Sequence, residues 1–462
     1  MPEYLVRLAQ VHESFRKAEL EALAELTGIK MEIILYSEDS PFCIISLRSS
    51  DAAIHLITRS ILSQGIYELW GRGTSYTDLH ISVRALSTPK WAQHRTSSFR
   101  FTLDSFRGSR TSSAQRSIIE SFSYMSLDGP IRMKDPTLDL CVFEDYTLNA
   151  SEPHALYLGA FVAGSGRAAK TTYDLKKRHY ISTTSMDAEL ALVTANLALA
   201  APGKLFYDPF MGTGGFPVAV AHFGAIGMGS DIDGRSIRGK GGRDVRGNFR
   251  QYGLEGLYLD GFISDLTNSP MRGCMGEDGG ESERGAWLDG IVCDPPYGVR
   301  EGLKVLGLKE GRGDGRKGVA HDRYQEPGYI PPKRPYSFTA LLDDILHFAS
   351  LTLVENGRLA MWMPTANDED IELAIPTHPC LKIVSVCAQP FNKWSRRLLT
   401  YRRLPDNEVD RSLLIPRREC GAGIHADELN DFRRKYFQGF KNLESEGAEE
   451  QAGALPSPPP SQ

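Results

Sequence analysis

The chain has 462 residues, 41% hydrophobic and 24% charged, with a formal net charge of −5. That length has room for roughly three domains and a sizeable core, and the mild acidic balance excludes an overall basic coat but not a local basic surface. The seven cysteines (Cys43, Cys141, Cys274, Cys293, Cys380, Cys387 and Cys420) are odd in number and never spaced as Cys-x-x-Cys. Neither a disulfide framework nor a zinc site is written in them, so no metal is expected. The first residues lack an apolar signal core, and charges interrupt every run of membrane-spanning length. A reducing, cytoplasmic setting is the expectation.

In chain order, Tyr4–Leu8 reads as a strand, and Phe15–Leu26 carries apolar residues at helical spacing. Strands at Ile33–Tyr36 and Cys43–Leu47, a helix over Ala52–Leu62 and a strand at Ile66–Trp70 complete a βαββαβ order, the ferredoxin-like pattern, over residues 1–72. Residues 73–167 continue as a second small α+β unit. It has a helix near 76–86, a strand at Phe99–Leu103, a helix at Ser112–Ser121, and strands at Leu138–Phe143 and Ala155–Val162. Residues 168–179 read as a linker.

From Tyr180 to about Arg403 the character changes. Candidate strands Leu205–Tyr207, Ala225–Gly229, Tyr258–Ile263, Gly290–Cys293, Leu359–Met363 and Ile383–Ala388 alternate with helices over Asp187–Ala200, Phe216–His222 and Phe338–Leu353. This is the form of a mostly parallel α/β sheet with helices on both faces. Residues 268–286 read as a Gly- and acid-rich insertion, and 301–335 as a long loop of net charge +3. Residues 404–443 form an extension with a possible last helix over 425–440, and 444–462 a Pro/Ser-rich tail expected to be disordered.

Four of those strands run into acids. Asp294-Pro295-Pro296-Tyr297 follows Gly290–Cys293. Proline cannot continue a ladder, so the chain leaves the sheet with Asp294 at its carboxyl end, where open α/β sheets bind ligands. Asp294 and the Pro295 carbonyl can accept hydrogen bonds from an exocyclic amine, while Tyr297 offers a stacking face to a flat base. Upstream, Tyr207-Asp208-Pro209-Phe210-Met211-Gly212-Thr213-Gly214-Gly215-Phe216 runs from a strand end through a glycine-rich turn into a helix, which lets a cofactor approach the backbone. A dinucleotide fingerprint competes, but its last glycine is missing and Asp208-Pro209 is intrusive. Asp231 stands 19 residues beyond Gly212, where an acid commonly grips ribose hydroxyls, and Asp265 ends the next strand. One such acid is usually a helix cap; four in order (Asp208, Asp231, Asp265, Asp294) make a specific set.

On these residues the chain resembles the S-adenosylmethionine-dependent amino-methyltransferases. More narrowly, it resembles the family of eukaryotic catalytic subunits of tRNA (guanine-10, N2)-methyltransferase. Tyr173–Leu192, Tyr207–Phe216, Gly229–Asp233, Asp294–Gly302, Pro376–Ser385 and Trp394–Thr400 carry the resemblance. It implies a Rossmann-like class I methyltransferase domain over 180–403, a THUMP RNA-binding domain at 73–167 and the ferredoxin-like domain before it. S-adenosylmethionine is the implied cofactor. Asp208, Pro209, Phe210, Gly212, Thr213 and Gly214 would cradle its amino-acid end and sulfonium region, and Thr184, Ser185 and Met186 would help hold its carboxylate. Asp231 with Ile232 would take the ribose, Asp265 with Leu266 the adenine, and Asp294 through Tyr297 the guanine.

The resemblance also implies two partners, tRNA and a small zinc-binding activator subunit that forms a heterodimer with this chain. Lys176, Lys177 and Arg178, a run of net +5 between Arg235 and Arg250, and Arg396 with Arg397 are candidate phosphate contacts, although a charge run is as readily a solvated helix face. The rival readings are another nucleobase amino-methyltransferase, acting on adenine or a different tRNA guanine, and a catalytically silent RNA-binding subunit. A protein-glutamine methylator fits less well, because that family carries Asn where Asp294 stands.

Overall fold

In the computed structural model, which describes residues 1–271, 286–299, 303–306, 332–366, 375–392 and 394–409, the short apolar runs of the first segment become β1 (Glu3–Leu8), α1 (Glu13–Thr27), β2 (Glu32–Leu35), β3 (Phe42–Ser46), α2 (Ser50–Ile57) and β4 (Ser63–Gly73). α2 stops well before the expected Leu62. The Ile61 and Leu62 amides turn away to donate to the buried Glu19 carboxylate, so the chain leaves the helical ladder. Next come α3 (Tyr76–Gln93), β5 (Phe99–Phe106), α4 (Ser112–Glu120), β6 (Leu138–Asp145), β7 (Ala155–Gly164) and the one-turn α5 (Ala169–Thr172). α3 runs past Pro89, and Trp91 beyond it packs on the cluster around Trp70 and Leu79.

The chain divides into two units, Met1–Asp174 and Leu175–Gln462. In the first, one sheet runs β2-β3-β1-β4-β7-β6-β5. Its β2-β3-β1-β4 half has the antiparallel ferredoxin-like order, and β4 pairs with β1 on one side and β7 on the other. The sheet is therefore continuous across residue 72.

The second unit contains α6 (Ala188–Leu197), β8 (Leu205–Asp208), α7 (Gly215–His222), β9 (Ile226–Asp231), α8 (Gly234–Arg238), α9 (Val245–Gln251), β10 (Tyr258–Ile263), β11 (Leu288–Cys293), β12 (Lys304–Leu306), β13 (Lys333–Pro335), α10 (Phe338–Thr352), β14 (Leu353–Ala366), β15 (Leu381–Pro390) and β16 (Trp394–Arg403). The large sheet runs β10-β9-β8-β11-β14-β16-β15. Its first five strands are parallel, and β16 lies antiparallel between β14 and β15. The doubly wound α/β class is as expected, and β16 is an addition to the strand set. Its paired arginines (Arg396–Arg397, Arg402–Arg403) hide the apolar stretch Leu398–Tyr401, which is buried.

The core of this unit joins Ile291, Leu359, Met361 and Leu399 of the sheet to Leu342, Ile345 and Leu346 of α10. The Trp362 indole donates to Thr194 of α6 at 3.1 Å. No helix among the described residues is long and apolar enough to cross a membrane. Most of the expected insertion at 268–286 and loop at 301–335, the helix at 425–440 and the tail at 444–462 lie outside the described residues.

Candidate active site

Strand order reverses between β8 and β11, so their carboxyl ends flank the crevice that open α/β sheets use for ligands. Asp208 ends β8 at 1% exposure and accepts the Phe210 amide at 2.9 Å. Asp231 ends β9, and its two oxygens accept the Gly212 amide at 3.0 Å and the Asp233 amide at 2.7 Å. The acid after one strand thereby shapes the glycine turn after its neighbour. Gly214 sits at φ 83° as the cap of α7, a conformation that disfavours any side chain. A Cβ there would also stand 2.6 Å from Val245 Cγ1.

The segment before α6 reaches the same turn. Ser185 and Thr213 hydroxyls are 3.0 Å apart, Ser182 and Thr184 hydroxyls 3.3 Å, and Met186 is buried. Asn248 of α9 explains the approach, and nothing in its Arg-rich surroundings signals it in sequence. Fully buried, it accepts the Tyr180 amide at 2.9 Å and donates to the Tyr180 and Thr213 carbonyls at 2.7 and 3.1 Å.

A cleft with an empty volume of about 400 Å³, counting its open mouth, lies between these strand ends. Pro209, Phe210, Ile232, Ser264–Leu266, Pro296, Leu303–Val305 and Tyr336 line it. Asp265 is at this wall but looks inward: one oxygen accepts the Thr267 amide and hydroxyl, the other the Leu306 amide at 2.6 Å. It orders the wall.

Asp294 emerges from β11 half-buried, beside the buried Pro295 and the exposed Pro296. Its carboxylate accepts the Tyr297 hydroxyl and lies 3.8 Å from an Arg396 guanidinium nitrogen. Arg396 is gripped by Gln389, at 2.6 and 3.1 Å, and lies over the Trp362 ring at 4.8 Å. Tyr297 meets Trp394 edge-on at 6.3 Å, and Trp394 stacks on Phe391 at 4.6 Å. This aromatic wall comes from β16 and the turn before it. The sequence motifs point to Trp394 only as part of a family segment, and Trp362 and Phe391 carry no signal.

Burial pushes the carboxyls of Asp208, Asp231 and Asp294 upward, Asp208 most strongly. Three acids held reluctantly as anions favour a cationic or hydrogen-bond-donating ligand. Mutual repulsion adds to the effect at Asp208.

The expected phosphate contacts divide. Lys176 and Lys177 are exposed, whereas Arg178 and Arg397 are each only 6% exposed, and Arg396 faces Asp294. The last two sit on β16, between β14 and β15. In the basic run, Arg235, Arg246 and Arg250 reach Asp233, Asp260 and Glu255, acids outside the counted stretch, which reduces its field.

Residues 2–167 match the model of the Tmrp11 THUMP N-terminal domain. The solved structure of TrmN from Thermus thermophilus aligns over 87% of this chain and 100% of its own, at 18% identity and a TM-score of 0.42. The Saccharomyces cerevisiae protein named tRNA (guanine(10)-N(2))-methyltransferase is 42% identical over 95% of this chain and 100% of its own. The human protein of that name, TRMT11, is 33% identical over 94% and 95%. With likeness of that extent running through both units, the chain belongs to the tRNA (guanine(10)-N(2))-methyltransferase family.

Proposed function

We propose that this chain moves the methyl group of S-adenosylmethionine to the exocyclic N2 amine of guanosine 10 in tRNA. The observation that carries the reading is the grouping of Asp208, Asp231 and Asp294 at the switch point of the second sheet, with an aromatic wall beside Asp294. The residues suit the cofactor. Each Asp231 oxygen retains a lone pair for a ribose hydroxyl, and the cleft lined by Pro209, Ile232 and Ser264–Leu266 suits a flat base. The glycine turn with Phe210, Thr213 and the Thr184–Met186 segment suits the amino-acid end.

When bound, S-adenosylmethionine supplies an electrophilic methyl on a sulfonium. The guanine amine is a poor nucleophile because its lone pair is delocalised into the ring. Asp294 and the Pro295 carbonyl accept its two protons and favour the pyramidal nitrogen that forms as the N–C bond is made and the S–C bond breaks. One amine proton then leaves to Asp294, whose carboxyl is already drawn upward by burial. Tyr297 must first release that carboxylate, and the incoming amine takes its place. Holding amine and methyl in line is worth up to about 7–11 kcal/mol in favourable models. The base leaves its stack to reach Asp294, against Tyr297 and Trp394.

The first unit, read as ferredoxin-like and THUMP domains, would hold the tRNA, with Lys176 and Lys177 on its phosphates. A small zinc-binding activator subunit would complete a cytoplasmic heterodimer. The test is incubation of the chain, co-expressed with that subunit, with tritiated S-adenosylmethionine and unmodified tRNA, followed by identification of the labelled nucleoside. Label in N2-methylguanosine at position 10 is the expected result. Label on adenosine or another guanosine overturns the substrate, and no label with both ligands bound favours a silent subunit.

A further inference from the structure

Arg178 is a buried charge that the methyl-transfer reading does not use. Arg178 is 6% exposed, and its Nε and Nη1 have no hydrogen-bond partner among the described residues. Its guanidinium is aimed. Nη1 lies 3.7 Å from the point a Cβ on Gly215 would occupy, and Gly215 is the first residue of α7. Asn248 ties the Tyr180 backbone, two residues beyond Arg178, to the Thr213 carbonyl, which fixes this segment against the glycine turn. The Ser185–Thr213 hydroxyl pair sits on the same turn.

A buried guanidinium without a counter-ion is unfavourable. The start of a helix adds partial positive charge and free amides rather than relief. Two positive features pressed together are stable only when an anion joins them. We propose that Arg178 and the N-terminus of α7 form a carboxylate subsite, which takes the α-carboxylate at the amino-acid end of the methyl donor. The inference rests on the reading that this unit binds S-adenosylmethionine. The planar guanidinium fork suits a carboxylate held through two parallel bonds. An RNA phosphate is the other candidate anion, but a phosphate embedded in a polynucleotide cannot follow so covered a side chain, whereas a carboxylate ends a slender flexible arm.

The experiment is calorimetric titration of the full-length chain with two probes, S-adenosylhomocysteine and 5′-methylthioadenosine. The second keeps the nucleoside and the sulfur but lacks the amino-acid end. Arg178→Gln should weaken S-adenosylhomocysteine by about 10- to 100-fold and leave 5′-methylthioadenosine within about twofold, with Arg178→Lys between wild type and Gln. The unfolding temperature of the ligand-free Arg178→Gln protein should not fall, because the charge removed has no partner among the described residues. Equal weakening of both probes would make Arg178 a general support of the fold and overturn the proposal. Unchanged S-adenosylhomocysteine binding with reduced tRNA affinity would overturn it in favour of an RNA contact. If the wild-type chain binds neither probe, the cofactor reading itself fails and takes this subsite with it.

Discussion

Buried charge is handled differently at Glu19, Glu144 and Arg7 of the first unit and at the carboxyl edge of the second sheet. In the first, Glu19 is fully buried and accepts the Ser60 hydroxyl at 2.8 Å and the Ile61 and Leu62 amides at 2.9 Å. Glu144, also fully buried, is held by Tyr76, Ser105 and Arg110 at 2.6–3.1 Å. Arg7 meets Asp104 at 2.6 Å. These groups are satisfied by the protein itself. At the carboxyl edge of the second sheet, Asp208 has one local amide, Asp294 is shared between Tyr297 and a distant Arg396, and two Arg178 nitrogens have no acceptor among the described residues. A fold tolerates incomplete pairing of buried polar groups chiefly where something else completes it. Among these groups, the ones left for a ligand to complete gather at the carboxyl edge of the second sheet.

The largest expected effect tests the functional side of that contrast. Asp294→Asn should reduce kcat/KM by about 100- to 1,000-fold, as loss of one oriented transition-state contact does. S-adenosylhomocysteine affinity and unfolding temperature should stay near wild type. A collapse in stability would place Asp294 with Glu19 and erase the distinction. The converse is Glu19→Ala, which strands buried amides and should lower stability by about 3 kcal/mol in denaturant unfolding, without changing cofactor affinity.

Gly214→Ala sharpens the comparison, because it strains the glycine turn itself. The φ of 83° and the 2.6 Å approach to Val245 should together lower stability by about 1–3 kcal/mol and weaken S-adenosylhomocysteine. Adding Val245→Ala should relieve the contact and restore part of the loss, leaving the backbone strain. Full rescue would show that φ contributes nothing.

Titration separates the regions further. The Asp208 carboxyl is raised by burial above its ordinary value of 3.8. The folded state therefore binds the extra proton, and the associated stability is present at low pH and lost as pH rises through the folded value. Melting curves between pH 4 and 8 should show Asp208→Asn gaining on wild type as pH rises, and a constant difference would contradict this.

The smallest effect has the opposite sign. Burial, His347 and Arg403 lower His378 from 6.5 to about 4. Stability from this group is present above 6.5 and lost as pH falls through that window. Removing it with His378→Gln should flatten the acid limb by about 2–4 °C.

Much of the site could be read along the chain because each acid follows its own strand. A parallel α/β sheet places successive carboxyl ends on one edge, so Asp208, Asp231, Asp265 and Asp294 converge without any information about side-chain packing. Element types were legible for the same reason: period-two and period-3.6 apolar patterns are local. Tertiary structure alone decided which way each side chain faces. It turned Asp265 into its own wall, and it carried Arg396 and Trp394 beside Asp294 by laying β16 antiparallel between two other strands. It also buried Arg178, in a basic tripeptide that reads as surface, through the clamp of Asn248. Composition and spacing record charge and order, whereas partnership depends on contacts between residues far apart in sequence, and those exist only once the sheet has closed.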